Sequence, residues 1–120
     1  MAQASGCIFC RIVAGEIPSD MVYQDPEVIA IRDIRPQAPL HVLVLPRTHL
    51  VSLAEVDAAQ APLLGRMLLV VKQVAEEAGV TQGGYRVITN IGRDSGQEVP
   101  HLHWHVLGGR PLGPLVSRGL

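Results

Sequence analysis

Residues 101 to 107 read His101-Leu102-His103-Trp104-His105-Val106-Leu107, and their strict alternation predicts an extended strand with two unlike faces. Successive strand side chains point to opposite sides, so His101, His103 and His105 share one face. Leu102, Trp104 and Val106 share the other, which suits burial in a core. Same-face neighbours stand about 6.6 Å apart at the usual strand rise. Three imidazoles so close resist joint protonation, and at least one stays neutral near pH 7. A neutral imidazole beside proton donors is a nucleophile or a metal ligand. A single strand histidine is usually structural, but this run holds three of the five histidines in the chain, which points to a site.

The most continuous apolar segment is His41-Val42-Leu43-Val44-Leu45, which predicts a strand at the centre of a sheet. Met21-Val22-Tyr23-Gln24 and Val28-Ile29-Ala30-Ile31 predict two further strands around the Asp25-Pro26 turn, with Asp33 at the end of the second. Arg35-Pro36-Gln37-Ala38-Pro39 is a loop, because two prolines forbid regular pairing. Between Asp57 and Gly79, apolar residues recur at Ala61, Leu64, Leu68, Val71 and Ala75, the spacing of a long amphipathic helix capped near Asp57 and closed by Gly79. Cys7 to Ala14 predicts a short helix stopped at Gly15, and Gly83-Gly84 leads into a strand over Tyr85 to Thr89. Residues 90 to 100 form a glycine-containing loop before the histidine run. Strands outnumber helices and the connections are short, so the fold class is α+β with a mostly antiparallel sheet of about five strands. Residues 1 to 6, small and polar, are expected to be disordered, and residues 7 to 120 to form a single domain.

With 120 residues, a net charge of −1 and 48% apolar residues, the chain has the composition of an ordinary soluble domain with a real core. It has no basic stripe and only 3% aromatic residues, which argues against nucleic acid as a partner. No apolar run approaches the roughly 20 residues that span a bilayer, so no membrane partner is expected. Met1 to Gly6 lacks the pattern of a secretory signal. A cytoplasmic protein with reduced Cys7 and Cys10 follows as the expectation.

The histidine run resembles the signature of the histidine triad family. Asn90-Ile91-Gly92, Gly96-Gln97 and Gly108-Gly109-Arg110-Pro111 are similar to its HINT branch, the purine nucleotide-binding hydrolases. Asp33 to Pro39 and His41 to Pro46 extend the resemblance over roughly residues 7 to 111. It implies the same α+β fold, with one long helix and a short N-terminal helix. It implies hydrolysis of purine nucleoside 5′-phosphoramidates through a nucleotidyl-histidine, with release of a nucleoside monophosphate. His103 would attack phosphorus and His105 would bind a phosphoryl oxygen or help protonate the leaving amine, with His41 and His101 completing the catalytic set. Asp33 would hold the ribose hydroxyls, although a strand-end turn role is the competing reading. Asn90, Gly96 and Gln97 would meet phosphate or ribose, and Phe9, Ile12, Ile31, Ile34 and Leu43 would form an apolar slot for the purine. Some members of the family it resembles carry a serine where this chain has Glu98, and bacterial-looking members often carry Glu. A carboxylate cannot donate to phosphate, so Glu98 is left outside the expected site.

Cys7-Ile8-Phe9-Cys10 has the spacing of a zinc or redox pair. The resemblance adds His49 and His101, giving a closed structural zinc site distinct from catalysis, for which no cofactor is expected. It also implies a homodimer joined through the long helix and the Tyr85 to Thr89 strand. The helix is apolar on more than one side at Leu63, Met67, Leu69 and Val70, which favours a dimer, with burial of those residues within one monomer as the alternative. Two other functions stay open: a dinucleoside polyphosphate hydrolase, or a zinc-stabilised nucleotide-binding or adaptor protein with little turnover.

Overall fold

The computed structural model describes residues 6–116, so the disorder expected of residues 1 to 6 falls, apart from Gly6, outside the described residues, as do the last four residues of the expected domain. The elements in chain order are α1 (Ile8–Val13), β1 (Met21–Gln24), β2 (Val28–Arg32), β3 (Leu40–Pro46), α2 (Ala61–Glu77), β4 (Tyr85–Ile88) and β5 (Trp104–Gly108). The strands form one five-stranded sheet in the order β1-β2-β3-β5-β4, and every neighbouring pair is antiparallel. The α+β expectation is borne out. No helix among the described residues is long and apolar enough to cross a membrane.

β3 lies in the middle and is buried along its whole length, because helices cover both sides of the sheet. On one side, Met67, Val70, Val71, Val74 and Ala75 of α2 pack over Val28, Ala30, Val42, Val44, Leu102 and Val106. On the other, Phe9 and Cys10 of α1 and the adjoining Cys7 pack over Ile29, Ile31, Leu43 and Leu45. The period-two alternation of β2, β3 and β5 therefore sorts residues between two cores, and the histidines fall with the smaller one. Burying each such Val, Ile or Leu contributes about 1.5–3 kcal/mol relative to leaving it exposed.

Two expectations about α2 change. Leu68, expected to face the core, is 48% exposed, while Met67 and Val70, read as surplus apolar surface, are fully buried. The buried stripe follows 67, 70, 71, 74 and 75, the regular i, i+3, i+4, i+7, i+8 spacing of one helix face. Leu69 stays exposed beside Leu68. The helix start agrees with expectation: Asp57 and Gln60 form a reciprocal capping box on a 3-10 turn, Ala58–Gln60, that runs into α2.

The histidine run also begins differently from expectation. Ladder pairing starts only at Trp104, and His101 to His103 lie in an irregular segment held by Leu102 N–H donating to Leu50 O at 2.6 Å. The sorting of faces nevertheless holds, since Leu102 and Trp104 pack with the α2 core.

Gly109 closes β5 against the loop that precedes β3. Its φ is +97°, and a Cβ there would stand 2.8 Å from Pro39 Cβ. The next residue, Arg110, donates to Gln37 O at 2.8 Å and braces the same loop. Gly109→Ala is expected to cost about 2–4 kcal/mol, combining left-handed strain with the clash. Gly15→Ala, also at positive φ but with open space around it, should cost only about 1 kcal/mol. Urea midpoints of the two variants check the difference, and equal losses would remove the Pro39 contact as a cause.

Candidate active site

β3 and β5 bring His41, His103 and His105 onto the α1 side of the sheet. Leu43 pairs directly with His105, so His41, two residues earlier on β3, is its diagonal neighbour. The His103 and His105 ring centroids stand 5.0 Å apart, and those of His41 and His105 stand 5.1 Å apart. Together with Phe9, Asp33, Leu43, Asn90, Gly96, Glu98 and Val99, His103 and His105 line a cleft of about 290 Å³. That volume is at the small end of ligand clefts.

Backbone groups fix which nitrogen carries each proton. His103 Nδ1 lies 2.7 Å from His101 O, and a carbonyl can only accept, so Nδ1 carries the proton and Nε2 keeps its lone pair. Gln37 N–H donates to His41 Nδ1 at 3.0 Å, which places the His41 proton on Nε2. His41 Nε2 in turn lies 2.9 Å from His105 Nδ1 and donates to it, leaving His105 with an N–H at Nε2. The result is one imidazole with an unprotonated nitrogen beside one with a donor. Asp33 Oδ2 stands 3.4 Å from His41 Nε2, while Asp33 Oδ1 accepts Arg35 N–H at 2.8 Å. Asp33 therefore serves the turn with one oxygen and faces the histidines with the other.

Burial keeps these rings uncharged. It lowers His105 to about 4, with repulsion from protonated His103 and His41 adding to the effect. It also lowers His103, against smaller opposing effects of the His101 carbonyl and Asp33, and His41, against Asp33 alone. Near pH 7 the row is neutral, as nucleophilic use of a ring nitrogen requires.

His101 sits apart. Its Nε2–H donates to Pro46 O at 2.8 Å, and its Nδ1 lies 3.3 Å from Cys7 Sγ, 3.6 Å from Cys10 Sγ and 3.3 Å from His49 Nδ1. Cys10 Sγ and His49 Nδ1 are 3.2 Å apart. A tetrahedral ion with bonds of about 2.0–2.3 Å has donor-to-donor edges of about 3.3–3.8 Å, so these four side chains could hold a metal ion. Cys7 Sγ also accepts Cys10 N–H at 3.3 Å, a bond that favours a sulfur bearing negative charge. With both ring nitrogens engaged, His101 reaches His103 through its carbonyl.

The remaining expected residues divide. Asn90 and Gly96 line the cleft, as do Phe9 and Leu43. Ile31 is buried beneath α1 and Ile12 packs beside it, while Ile34 is 90% exposed on the turn after β2; none of the three lines the cleft. Gly96 N–H donates to Arg93 O and Gln97 N–H to Gly92 O, so the two N–H groups expected to meet phosphate close a turn instead. The Gln97 side chain braces that loop, accepting from Gly92 N–H and donating to Val51 O. Two positions later, the Glu98 and Val99 N–H groups have no acceptor among the described residues. Both residues lie on the cleft wall, and the sequence reading included neither. No turn rule could have located them, because the tight turn is set by the left-handed Gly92 and Gly96 together.

The sequence matches the HIT domain over residues 14–112, and the chain belongs to that family. It is 49% identical to the purine nucleoside phosphoramidase of Escherichia coli (strain K12) over 96% of this chain and 97% of that protein. It is 47% identical to protein HitA of Neisseria gonorrhoeae over 85% of this chain and 94% of that one. Among solved structures, a HIT family hydrolase from Clostridium thermocellum superposes with a TM-score of 0.92 at 43% identity, covering 96% of this chain and all of the other. A histidine triad protein from Clostridium difficile matches equally well, at the same TM-score and identity over 96% of this chain and 100% of that one.

Proposed function

We propose that the chain hydrolyses the P–N bond of purine nucleoside 5′-phosphoramidates, with His103 Nε2 as the nucleophile. The carrying observation is the His103 Nδ1–H bond to His101 O, which leaves the opposite nitrogen as a lone pair on the cleft wall. Its attack forms an N–P bond while the P–N bond of the substrate breaks. The electron pair stays on the departing nitrogen, which takes up a proton from solvent by way of His105 Nε2. Water then attacks phosphorus, His103 leaves as a neutral imidazole, and the proton lost by water balances the one taken up earlier. A nucleoside monophosphate is the product.

In this reading the N–H groups of Glu98 and Val99 and the Asn90 amide receive the phosphoryl oxygens. Asp33 accepts from the ribose hydroxyls, and Phe9 and Leu43, backed by Ile12 and Ile31, form the purine slot. His41 holds His105 in its donor tautomer. Adenosine 5′-phosphoramidate is expected to turn over with a higher kcat/KM than diadenosine triphosphate, measured side by side by monophosphate release. The reverse order would replace this assignment with a dinucleoside polyphosphate hydrolase.

We also infer that Cys7, Cys10, His49 and His101 hold a structural zinc ion. Two thiolates and two imidazoles would neutralise it and leave no position open for substrate, and the ion would tie α1 to the sheet. A reducing cytoplasmic setting suits such thiolate ligands. A homodimer is part of the same reading. It is supported by the exposed Leu68 and Leu69 on α2 and by β4, which ends the sheet with one edge unpaired by any other described strand.

A further inference from the structure

The charges of the cleft do not match an anionic substrate taken alone. Asp33 and Glu98 supply the formal charges among its lining residues, and no lysine or arginine lines it. The nearby loop cation, Arg93, is paired with its own neighbour Asp94 at 3.1 Å. Asp33 is partly occupied by Arg35 N–H and His41, whereas the Glu98 carboxylate has no hydrogen bond or ion pair among the described residues. A phosphoryl group bound there meets an unpartnered negative charge, unless the substrate brings the compensating cation itself.

Position indicates where that cation belongs. Asp33 joins the histidine row from the His105 end, through His41. Glu98 lies in the chain just before His101, whose N–H donates to Val99 O, on a loop that Gln97 ties to Val51, next to the Leu50 carbonyl that holds Leu102. If the nucleoside lies toward Asp33, the Glu98 end is left to the group that departs from phosphorus.

We propose that Glu98 is a specificity residue that selects leaving groups bearing an ammonium. The favoured substrates are then nucleoside 5′-phosphoramidates of diamine-like amines, in which one nitrogen is bonded to phosphorus and a second is cationic. This inference rests on the phosphoramidase reading and narrows it to a substrate class. It also gives a role to a carboxylate on the cleft wall: repulsion of a plain anion becomes discrimination in favour of a zwitterion.

The test compares adenosine 5′-N-(4-aminobutyl)phosphoramidate with the N-pentyl compound, which matches it in length and lacks the charge. The wild-type protein is expected to favour the aminobutyl compound about fivefold or more in kcat/KM, the scale of one partly exposed charge pair. Raising the salt concentration should shrink that ratio. Glu98→Gln should bring it to about one through loss with the aminobutyl compound, and Glu98→Lys should invert it. A ratio near one in the wild-type protein, or a preference unaltered in Glu98→Gln, overturns the role of Glu98 while leaving the phosphoramidase reading intact. Hydrolysis of neither compound by the wild-type protein overturns both.

Discussion

His103→Asn is expected to lower phosphoramidate hydrolysis by on the order of 10⁴-fold or more while leaving nucleotide monophosphate binding within a few-fold of wild type. The asparagine amide can still donate to the His101 carbonyl, which His103 Nδ1–H now reaches at 2.7 Å, so the local backbone keeps its partner. What disappears is the lone pair at Nε2. The proposed binding groups are independent of it: Glu98, Val99, Asn90 and Asp33 line other segments of the cleft wall. Without a covalent intermediate, water would have to displace the amine directly, with no preformed nucleophile on phosphorus. Single-turnover kinetics, calorimetric binding of AMP and mass spectrometry of trapped mixtures test each part. The wild-type protein should show the nucleotidyl adduct on His103 and the variant none. A variant rate within tenfold of wild type would remove His103 from the chemistry.

The neutrality of that ring could be expected from sequence, but its aim could not. Alternation at 101–107 placed three histidines on one face and three apolar residues on the other, and both faces are found packed as expected. What alternation cannot convey is that His101 leaves the row, because its ring is captured by residues 94, 91 and 52 positions away in the chain. The protons on His41 and His105 were equally hidden. They follow from Gln37 N–H, whose position depends on a loop held by Arg110 from the far end of β5. The phase of α2 was ambiguous for a different reason. Leu63, Leu64, Met67, Leu68, Leu69, Val70 and Val71 are apolar around nearly the whole circumference, so periodicity alone could not say which stripe the sheet would bury. Glu98 shows how a rule about residue type can mislead about place. A carboxylate is a poor phosphate ligand, yet Glu98 is one of the residues that line the cleft.

Loss of the zinc ion proposed at Cys7, Cys10, His49 and His101 is expected to lower stability and, through His101, to loosen the nucleophile. The four donors come from α1 and its cap, from the segment after β3 and from the approach to β5, so one ion would clamp three separated parts of the chain. An ion held at a few hundred times its dissociation constant stabilises the folded state by about 3–4 kcal/mol. At about 3–5 °C per kcal/mol for a domain this size, its removal should lower Tm by about 10–20 °C. Cys10→Ala is expected to reproduce most of that loss and to abolish the response to chelator, because it removes a buried ligand that also meets His49 at 3.2 Å. The consequence for the site follows from the double engagement of His101: its ring joins the cysteine–histidine cluster and its carbonyl fixes His103 Nδ1–H. Releasing the ring frees the backbone that aims the lone pair, and kcat should fall more than KM rises. Metal analysis of the purified protein, thermal unfolding with and without chelator, and NMR of the His103 ring protons measure these effects separately. Should the protein as purified contain no metal, and its Tm ignore both chelator and added zinc, the four side chains are held by their own hydrogen bonds and the clamp does not exist.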